Sequence, residues 1–400
     1  GILPSNEGRG YVERRLLRRA ARFGREIGLE RPFLHEVTKT VVDLMGHQYP
    51  ELVEKHVQIE KIIETEEKRF ASTLARGMEI LEQTFDRLDK AGSTHVPGTD
   101  LFKLHDTFGF PLDLATDIAE DRGYTVDAEG FEAEMEQQRQ KARSSWAGSG
   151  EQALSPVYRK VLDSNGKTDF LGYTEFAAPA KVIALVLDGN AADELHEGQS
   201  GEVILDRTPF YAESGGQVGD RGTLDNADAS AHISDTKAPV KGLTVHKATV
   251  TRGTLRVGDS VDAQIDSDAR LSTMNHHSAT HLLQAALQNV LGDHVHQAGS
   301  LVAPDRLRFD FTHFEGIDLD RLLDIEALVN EYVRTDTPVT TDLRDLDDAR
   351  AAGAMALFGE KYEDVVRVVS MGDISMELCG GTHVPATGVI GYFKILSESS

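Results

Sequence analysis

Cysteine and tryptophan are nearly absent from this chain, since each occurs once among 400 residues. A single cysteine excludes an intramolecular disulfide framework and is typical of the reducing cytosol, so we expect a cytoplasmic protein. No apolar run in the sequence approaches the ~20 residues that a membrane-spanning helix requires, and the N-terminus lacks the pattern of a signal peptide. The sequence therefore indicates neither a secreted nor a membrane protein.

Basic residues are also in short supply, with 42 Lys and Arg against 66 Asp and Glu and a net charge of −24. Nothing in the overall charge attracts a polyanion, so any contact with nucleic acid must be local, and nothing indicates DNA binding. At about 100 to 200 residues per domain, the length predicts roughly two to four domains. The chain begins with Gly1 instead of methionine, which suggests a piece of a longer protein.

The first part of the chain is predicted to be all-α. This region covers residues 1–150 and ends in small, flexible residues at 144–150, which form a plausible domain boundary. Apolar side chains recur within it at the three- and four-residue spacing of helices. The predicted helices lie near residues 53–90, 112–122 and 128–143.

Beyond residue 150 the sequence changes to short β-type runs separated by turn residues. These runs predict a small antiparallel β-barrel within residues 151–268; they lie at 181–189, 201–206, 243–250 and 260–265. In residues 269–400, predicted helices alternate with strands, which indicates an α+β domain. The helices are expected near 272–291, 318–335 and 346–353, and the strands at 306–311 and 364–370.

The single cysteine belongs to one of two motifs with matching spacing. It begins Cys379-Gly-Gly-Thr-His383, and far upstream stands His277-Ser-Ala-Thr-His281. Residues at i and i+4 share one face of a helix, and the apolar segment that follows His281 and stops at Gly292 predicts that helix. The paired glycines of the second motif favour a loop. A thiolate with three imidazoles favours Zn²⁺ over other first-row metals, and Ser278 excludes an HExxH metalloprotease motif.

Arginine is concentrated in one predicted helix near the N-terminus. The arginines of this basic stripe are Arg9, Arg14, Arg15, Arg18, Arg19, Arg22 and Arg25. A positive patch on an otherwise acidic molecule suits phosphate groups, which arginine binds bidentately. The alternative is a solvated face with internal ion pairs, and for an arbitrary run of charges that alternative is favoured.

Several motifs together resemble the alanyl-tRNA synthetase family. They are Leu3-Pro-Ser-Asn-Glu-Gly-Arg-Gly-Tyr-Val12, His105-Asp-Thr-Phe-Gly-Phe-Pro111, Thr208-Pro-Phe-Tyr-Ala-Glu-Ser-Gly-Gly-Gln-Val-Gly-Asp220 and the two ligand motifs. The resemblance covers essentially the whole chain. It implies a helical tRNA-recognition region followed by a C-terminally truncated editing domain, whereas the ATP and alanine site of the family would precede Gly1. The expected activity is binding of tRNA(Ala) and hydrolysis of Ser-tRNA(Ala) and Gly-tRNA(Ala), without aminoacylation.

The resemblance also implies roles for individual residues. Thr208, Gln217 and Gln297 become candidates for the hydrolytic site, although Thr208 alone is as readily explained as a β-sheet threonine. Asn6 and Asp106 fall where the family recognises a G·U wobble pair of the acceptor stem, and the arginine helix would hold flanking phosphates. Without the family, Asn6 would be interpreted as a helix N-cap and Asp106 as a turn former. His276 replaces the asparagine usual before the first ligand, and we interpret it as a neighbour of the site.

Two questions stay open at this stage. Four protein ligands are typical of a closed structural zinc site, whereas a catalytic zinc site keeps one position open. Either one ligand yields to substrate or water, or the ion positions the 3′ end of the RNA while water is activated elsewhere; we favour positioning. The rival function is a non-catalytic, zinc-stabilised tRNA-binding module, and a protein–protein scaffold has little support beyond the acidic charge.

Overall fold

The computed structural model describes residues 3–5, 8–145, 156–356 and 362–399. Internal contacts divide the chain into two compact units, Gly1–Gly150 and Glu151–Ser400. The motif residue Asn6 lies outside the described residues. Among the described residues, no helix combines the length and apolar character needed to cross a bilayer.

The first unit is helical, as predicted. Its helices are α1 (Gly8–Glu26), α2 (Leu34–Met45), α3 (Pro50–Glu54), α4 (His56–Ala91), α5 (Gly98–Phe108), α6 (Leu112–Asp121) and α7 (Ala128–Ser145). Two short strands, β1 (His95–Val96) and β2 (Thr125–Val126), pair in parallel. The long helix predicted near 53–90 is confirmed as α4, which begins at His56 because the chain leaves helical geometry at Lys55, after the short α3.

The core of this unit forms around one face of α4. Its buried apolar residues include Phe70, Leu74, Leu81 and Phe85, which follow the predicted three- and four-residue spacing. α4 ends at Gly92, whose φ of 66° is the left-handed conformation that glycine adopts without strain. The helix thus provides the surface against which the shorter helices pack.

The second unit begins with α8 (Pro156–Asn165) and continues as a β-rich segment. Its strands are β3 (Asp169–Phe170), β4 (Ala177–Leu187), β5 (Asn190–Ala192), β6 (Glu194–His196), β7 (Ser200–Leu205), β8 (Arg207–Thr208), β9 (Gly222–Asp225), β10 (Ala229–Val240), β11 (Leu243–Arg256) and β12 (Ser260–Ile265). Six antiparallel strands follow the order β10-β9-β12-β4-β7-β11, and β10 pairs with β11 to close the barrel. The predicted barrel is confirmed, although β9 and β10 were not among its predicted strands.

An α+β segment follows the barrel. Its elements are α9 (Ser267–Leu291), β13 (Gln297–Val302), β14 (Leu307–Phe311), α10 (Leu319–Arg334), β15 (Val339–Asp345), α11 (Leu346–Ala351), β16 (Val365–Met371), β17 (Ser375–Leu378) and a 3₁₀ turn at Thr387–Ile390. Strands β15, β16 and β17 form an antiparallel sheet, and β13 pairs with β14. Helices α9 and α10 share an apolar core with this sheet, in keeping with the expected alternation of helices and strands.

Helix α9 starts five residues earlier than predicted. The Asp266 side chain caps it by accepting a hydrogen bond from the Ala269 backbone N–H at 3.1 Å. The buried Arg270 then forms an ion pair with Asp220 and donates to the carbonyls of Gly172 and Pro209. Because a buried charge is costly unless fully paired, these contacts fix the first turns of α9 against the residues around the barrel.

Candidate metal centre

Helix α9 and the loop after β17 bring the two ligand motifs together. The ligand atoms of His277, His281, Cys379 and His383 all lie within 4.8 Å of one another. The Cys379 Sγ is 3.4 Å from the Nε2 atoms of both His277 and His383. The rings of His277 and His281 stack with centroids 5.4 Å apart, as the i, i+4 spacing requires. We call His277 and His281 the helical half, and Cys379 and His383 the loop half.

Each imidazole of the cluster is oriented through its δ-nitrogen. The partners are Gln217 Oε1 for His277 at 2.7 Å, Glu377 Oε2 for His281 at 2.7 Å and Ser278 Oγ for His383 at 3.2 Å. Histidines that bind metals commonly hold their second ring nitrogen in this way, which fixes the tautomer and the ring orientation. All three ε-nitrogens are therefore left for a common point beside the Cys379 sulfur.

The donor set fits a zinc ion. His281 Nε2 is buried without a hydrogen-bond partner among the described residues, and such an atom is costly unless something binds it. Thiolate sulfur and imidazole nitrogen are the ligands that Zn²⁺ prefers in proteins, and four of them complete its tetrahedral coordination. Placed at the common point, an ion would satisfy the orphaned nitrogen and neutralise part of the charge around the sulfur.

The electrostatics of the cluster favour the protonation state that a metal requires at Cys379 and His383, but not at His281. Burial opposes the Cys379 thiolate, but the adjacent His277 and His383 outweigh burial and hold the pKa of the thiol well below its ordinary value. Burial, together with His277, lowers the pKa of His383 to about 3, so this ring is neutral at physiological pH. Burial also opposes a charged His281, but the Glu377 carboxylate prevails and raises the pKa of His281 well above its ordinary value.

Hydrogen bonds from outside the motif shape the Cys379–His383 loop. Arg367 donates through one terminal nitrogen to the carbonyls of Cys379 and Gly381, both at 2.9 Å. Tyr173 donates its hydroxyl to the Gly380 carbonyl at 2.8 Å. The Gly381 N–H points to the Cys379 sulfur at 3.4 Å. The loop has no regular secondary structure, so these bonds define its conformation.

The two glycines of the loop differ in their surroundings. A Cβ added to Gly381 would lie 2.0 Å from Cε1 of His277, a distance that no real side chain tolerates. A Cβ added to Gly380 would meet no heavy atom within 4 Å. Glycine at position 381 is therefore required for the close approach of loop and helix, whereas glycine at position 380 borders open space.

Comparison with known proteins places these motifs in a family. The family described as tRNA synthetases class II (A) matches residues 1–269, and the threonyl and alanyl tRNA synthetase second additional domain matches residues 366–400. Alanine–tRNA ligases from Bacillus velezensis and Acidithiobacillus ferridurans are 49% and 50% identical to the chain over 399 residues. The chain belongs to the alanyl-tRNA synthetase family.

The relatives also give the extent of the match. The alanine–tRNA ligase of Nitratidesulfovibrio vulgaris is 48% identical over 400 residues, which are 100% of this chain and 46% of that relative. The Bacillus and Acidithiobacillus proteins are each covered to 45% of their length. The chain therefore spans less than half the length of the alanyl-tRNA synthetases that it matches.

The three residues expected in the hydrolytic site of an alanyl-tRNA synthetase occupy different surroundings. Gln217 is fully buried in the metal cluster, where its Oε1 accepts from His277 and from the Thr382 backbone N–H. Gln297, at the start of β13, is half-buried and donates to Ser300 Oγ at 3.1 Å. Of the three, Gln217 is the one whose hydrogen bonds reach a candidate metal ligand, His277.

Thr208 is buried and takes no part in the hydrogen bonds of Gln217 or Gln297. It is 0% exposed, and its Oγ1 lies 2.8 Å from His246 Nε2. Because His246 Nδ1 donates to the Val203 carbonyl at 2.9 Å, the hydroxyl of Thr208 donates to Nε2. Burial lowers the pKa of His246 to about 4, which keeps this acceptor neutral. His276, the neighbour of the first ligand, is bonded through Nδ1 to the Ala303 carbonyl.

The basic stripe on α1 divides into two faces. Arg14 and Arg18 form ion pairs with the buried Glu66, and Arg22 pairs with Glu26 and Asp121. The exposed members include Arg9, Arg15 and Arg19, of which Arg15 pairs with Asp113 at 3.3 Å. Part of the stripe thus forms ion pairs within the protein, as the alternative interpretation of the charge run predicted.

Asp106 lies near the end of α5, in the same unit as the basic stripe. It is exposed and accepts a hydrogen bond from Gln138 Nε2 of α7. Its carboxylate is therefore at the surface of the unit.

Four residues around the cluster were missed by the sequence interpretation: Ser278, Glu377, Arg367 and Tyr173. A signal existed for the first two. Ser278 lies inside the His277–His281 motif, and Glu377 precedes Cys379 by two residues, the spacing at which strand side chains share a face. No local pattern marked Arg367, which reaches the loop from the neighbouring strand β16, or Tyr173, which lies 207 residues before Gly380.

Proposed function

We propose that this chain is the part of an alanine–tRNA ligase that binds tRNA(Ala) and hydrolyses Ser-tRNA(Ala) and Gly-tRNA(Ala). A pocket for alanine discriminates poorly against glycine or serine, because a difference of one small group is worth only about 1 to 3 kcal/mol. A second, hydrolytic site removes the resulting errors. The reaction is attack of water on the ester carbonyl, which releases the amino acid and the 3′ hydroxyl of the RNA.

The observation that carries this proposal is the cluster of four ligand atoms within 4.8 Å. His277 and His281 are buried, whereas Cys379 and His383 are only half-buried. An ester on a flexible RNA end therefore reaches the cluster from the side of the loop half. A bound zinc ion would supply a positive charge that attracts the oxygen-rich end of the substrate.

The surrounding residues receive distinct proposed roles. Gln217 orients His277, and the half-buried Gln297 orients the water or the ester carbonyl. For Thr208 to contact a serine side chain, its hydroxyl must exchange the bond to His246 for one to the substrate. Localisation of the chain in the cytoplasm follows from the same proposal, because its substrate is tRNA.

For recognition, we propose that the exposed Arg9, Arg15 and Arg19 contact acceptor-stem phosphates. Arg14 and Arg18 support this surface through their pairs with Glu66. Asn6 and Asp106 read the G·U wobble pair, Asp106 after releasing Gln138. If so, Asn6→Ala and Asp106→Ala reduce the preference for a wobble stem over a Watson–Crick stem; equal affinity of the parent chain for both stems would dismiss this recognition role.

The decisive experiment measures hydrolysis of labelled Ser-tRNA(Ala) and Ala-tRNA(Ala) by the parent chain, with and without a chelator. We expect hydrolysis of the serine ester, its loss on chelation, and its loss in Cys379→Ala and His281→Ala. His196→Ala is the matched control, because His196 is exposed on β6 and bonded to Thr254. Unchanged rates in both ligand variants would refute the hydrolytic proposal.

A second candidate is a zinc-stabilised tRNA-binding module without turnover. The observation in its favour is the number of protein ligands, since four are typical of structural zinc. This module would bind tRNA(Ala) and melt at a lower temperature after chelation, yet leave Ser-tRNA(Ala) intact. The hydrolysis assay therefore separates the two candidates.

A further inference from the structure

Tyr173 is an exposed aromatic residue that is nevertheless held firmly beside the metal centre. It lies in the turn between β3 and β4 and is 46% exposed. Its hydroxyl donates to the Gly380 carbonyl at 2.8 Å, and Phe170 packs edge-on with ring centroids 4.9 Å apart. The ring is thus preorganised at the surface, and its hydroxyl is bonded to the loop that carries Cys379 and His383.

The surroundings of Tyr173 combine an aromatic surface with a positive charge. The Arg367 guanidinium carbon lies 4.2 Å from the centroid of the Tyr173 ring. The same guanidinium donates to the carbonyls on both sides of Gly380. An aromatic ring next to a cation is the combination that proteins use for single-stranded nucleotides, whose bases stack and whose phosphates are anionic.

Gly380 supplies an independent indication of where a ligand approaches. Its φ is not in the left-handed range, and an added Cβ would meet no heavy atom within 4 Å, so neither conformation nor packing requires glycine there. Glycine at such a position leaves the backbone open to close contact with a ligand. Gly380 is exposed and directly follows the ligand Cys379.

We propose that Tyr173, Arg367 and Gly380 form the binding surface for the 3′-terminal nucleotide that carries the amino acid. The base stacks on the exposed part of the Tyr173 ring, Arg367 attracts the phosphate, and the ribose ester passes over Gly380 to the metal centre. This assignment rests on the proposed hydrolytic function for its choice of ligand. The substrate would then contact Tyr173 and Arg367, which lie outside the two ligand motifs, and Gly380, which lies within the Cys379–His383 motif.

The test uses an RNA hairpin with the acceptor stem of tRNA(Ala) and 2-aminopurine as its 3′-terminal base. Stacking on Tyr173 quenches the fluorescence of this base in complexes with the parent chain. Tyr173→Leu removes the aromatic surface, so we expect loss of quenching and a KM for Ser-tRNA(Ala) raised about fivefold or more, with kcat little changed. Tyr173→Phe keeps the ring and retains quenching, and Gly380→Ala raises KM.

Controls distinguish binding from a structural effect. Zinc content, measured by elemental analysis, is expected to be unchanged in Tyr173→Leu, and Tyr392→Leu serves as the matched variant because Tyr392 is 71% exposed after the 3₁₀ turn. Quenching and KM unchanged in Tyr173→Leu would overturn the assignment, and so would loss of quenching together with zinc. If the parent chain fails to hydrolyse Ser-tRNA(Ala) but shows Tyr173-dependent quenching, the hydrolytic proposal fails and the nucleotide surface stands.

Discussion

The two halves of the metal cluster are built by different means. In the helical half, the backbone of α9 places His277 and His281 on one face, and both side chains are buried. In the loop half, Cys379 and His383 are half-buried, and their loop depends on hydrogen bonds from Arg367 of the neighbouring strand β16 and from Tyr173, which is distant in the sequence. The helical half is therefore fixed mainly by local structure, and the loop half mainly by tertiary contacts.

The largest expected effect comes from removing one ligand from either half. Zinc binding to a four-ligand site is worth ~10–16 kcal/mol, so His281→Ala and Cys379→Ala should each weaken zinc binding about a hundredfold or more. Competition with a chromophoric chelator measures this affinity. Equal losses would show that the halves contribute equally once the ion is bound, despite their different construction; a variant that retains the parent affinity would remove that residue from the ligand set.

Glycine substitutions test the contact between the halves. Gly381→Ala places a Cβ 2.0 Å from Cε1 of His277, and because overpacking of this kind costs about 1 to 3 kcal/mol, zinc affinity should fall about tenfold. Gly380→Ala is the neighbouring control and should retain the parent affinity, since its Cβ meets open space. The same chelator competition serves both variants. Equal affinities in the two would contradict the packing described for the loop.

The residues that orient the histidines allow a finer comparison. Glu377→Gln removes the charge that holds His281 of the helical half, and Ser278→Ala removes the hydroxyl beside His383 of the loop half. Loss of such partners typically costs 10- to 100-fold in metal affinity. We expect the larger loss for Glu377→Gln, because a charged acceptor makes the stronger bond. The d–d spectrum of the cobalt-substituted chain should report distorted coordination in both variants.

A pH dependence of zinc affinity is expected to originate in the helical half. The raised pKa of His281 means that its ring carries a proton in the metal-free chain near neutral pH. Zinc must displace that proton, so affinity should rise with pH by about tenfold per unit until the pH passes this raised pKa. His383, with a pKa of about 3, is already neutral and adds nothing to the slope. Zinc titrations in buffers of different protonation enthalpy measure the released proton. A zinc affinity that does not change with pH would contradict the Glu377–His281 pairing.

The sequence was most informative where one element carries the whole pattern. The His277–His281 spacing and the stop at Gly292 predicted a helix that the structure contains, and short β-type runs separated by turn residues predicted four strands of the barrel. Strands β9 and β10 were missed because they are short or rich in polar and small residues. The early start of α9 was also missed, although Asp266 is a recognisable N-cap.

Partners that meet only through the tertiary fold were beyond prediction. Gln217 was singled out through the family resemblance, but its bond to His277, 60 residues away, follows from no local pattern. The same holds for Tyr173, whose hydroxyl bonds a residue 207 positions later. The divided basic stripe has a similar cause, because Arg14 and Arg18 turn inward to the buried Glu66 of α4, which lies 48 residues beyond Arg18.

The single cysteine allows the state of the cluster to be followed by thiol labelling. Since its sulfur is one of the four clustered donors, a thiol-specific dye has no other cysteine in the chain to label. The rate of labelling then reports how often the cluster is vacated. Oxidation of this one sulfur would remove a donor from the cluster, so the capacity of the cluster to hold a metal ion depends on the redox state of a single side chain.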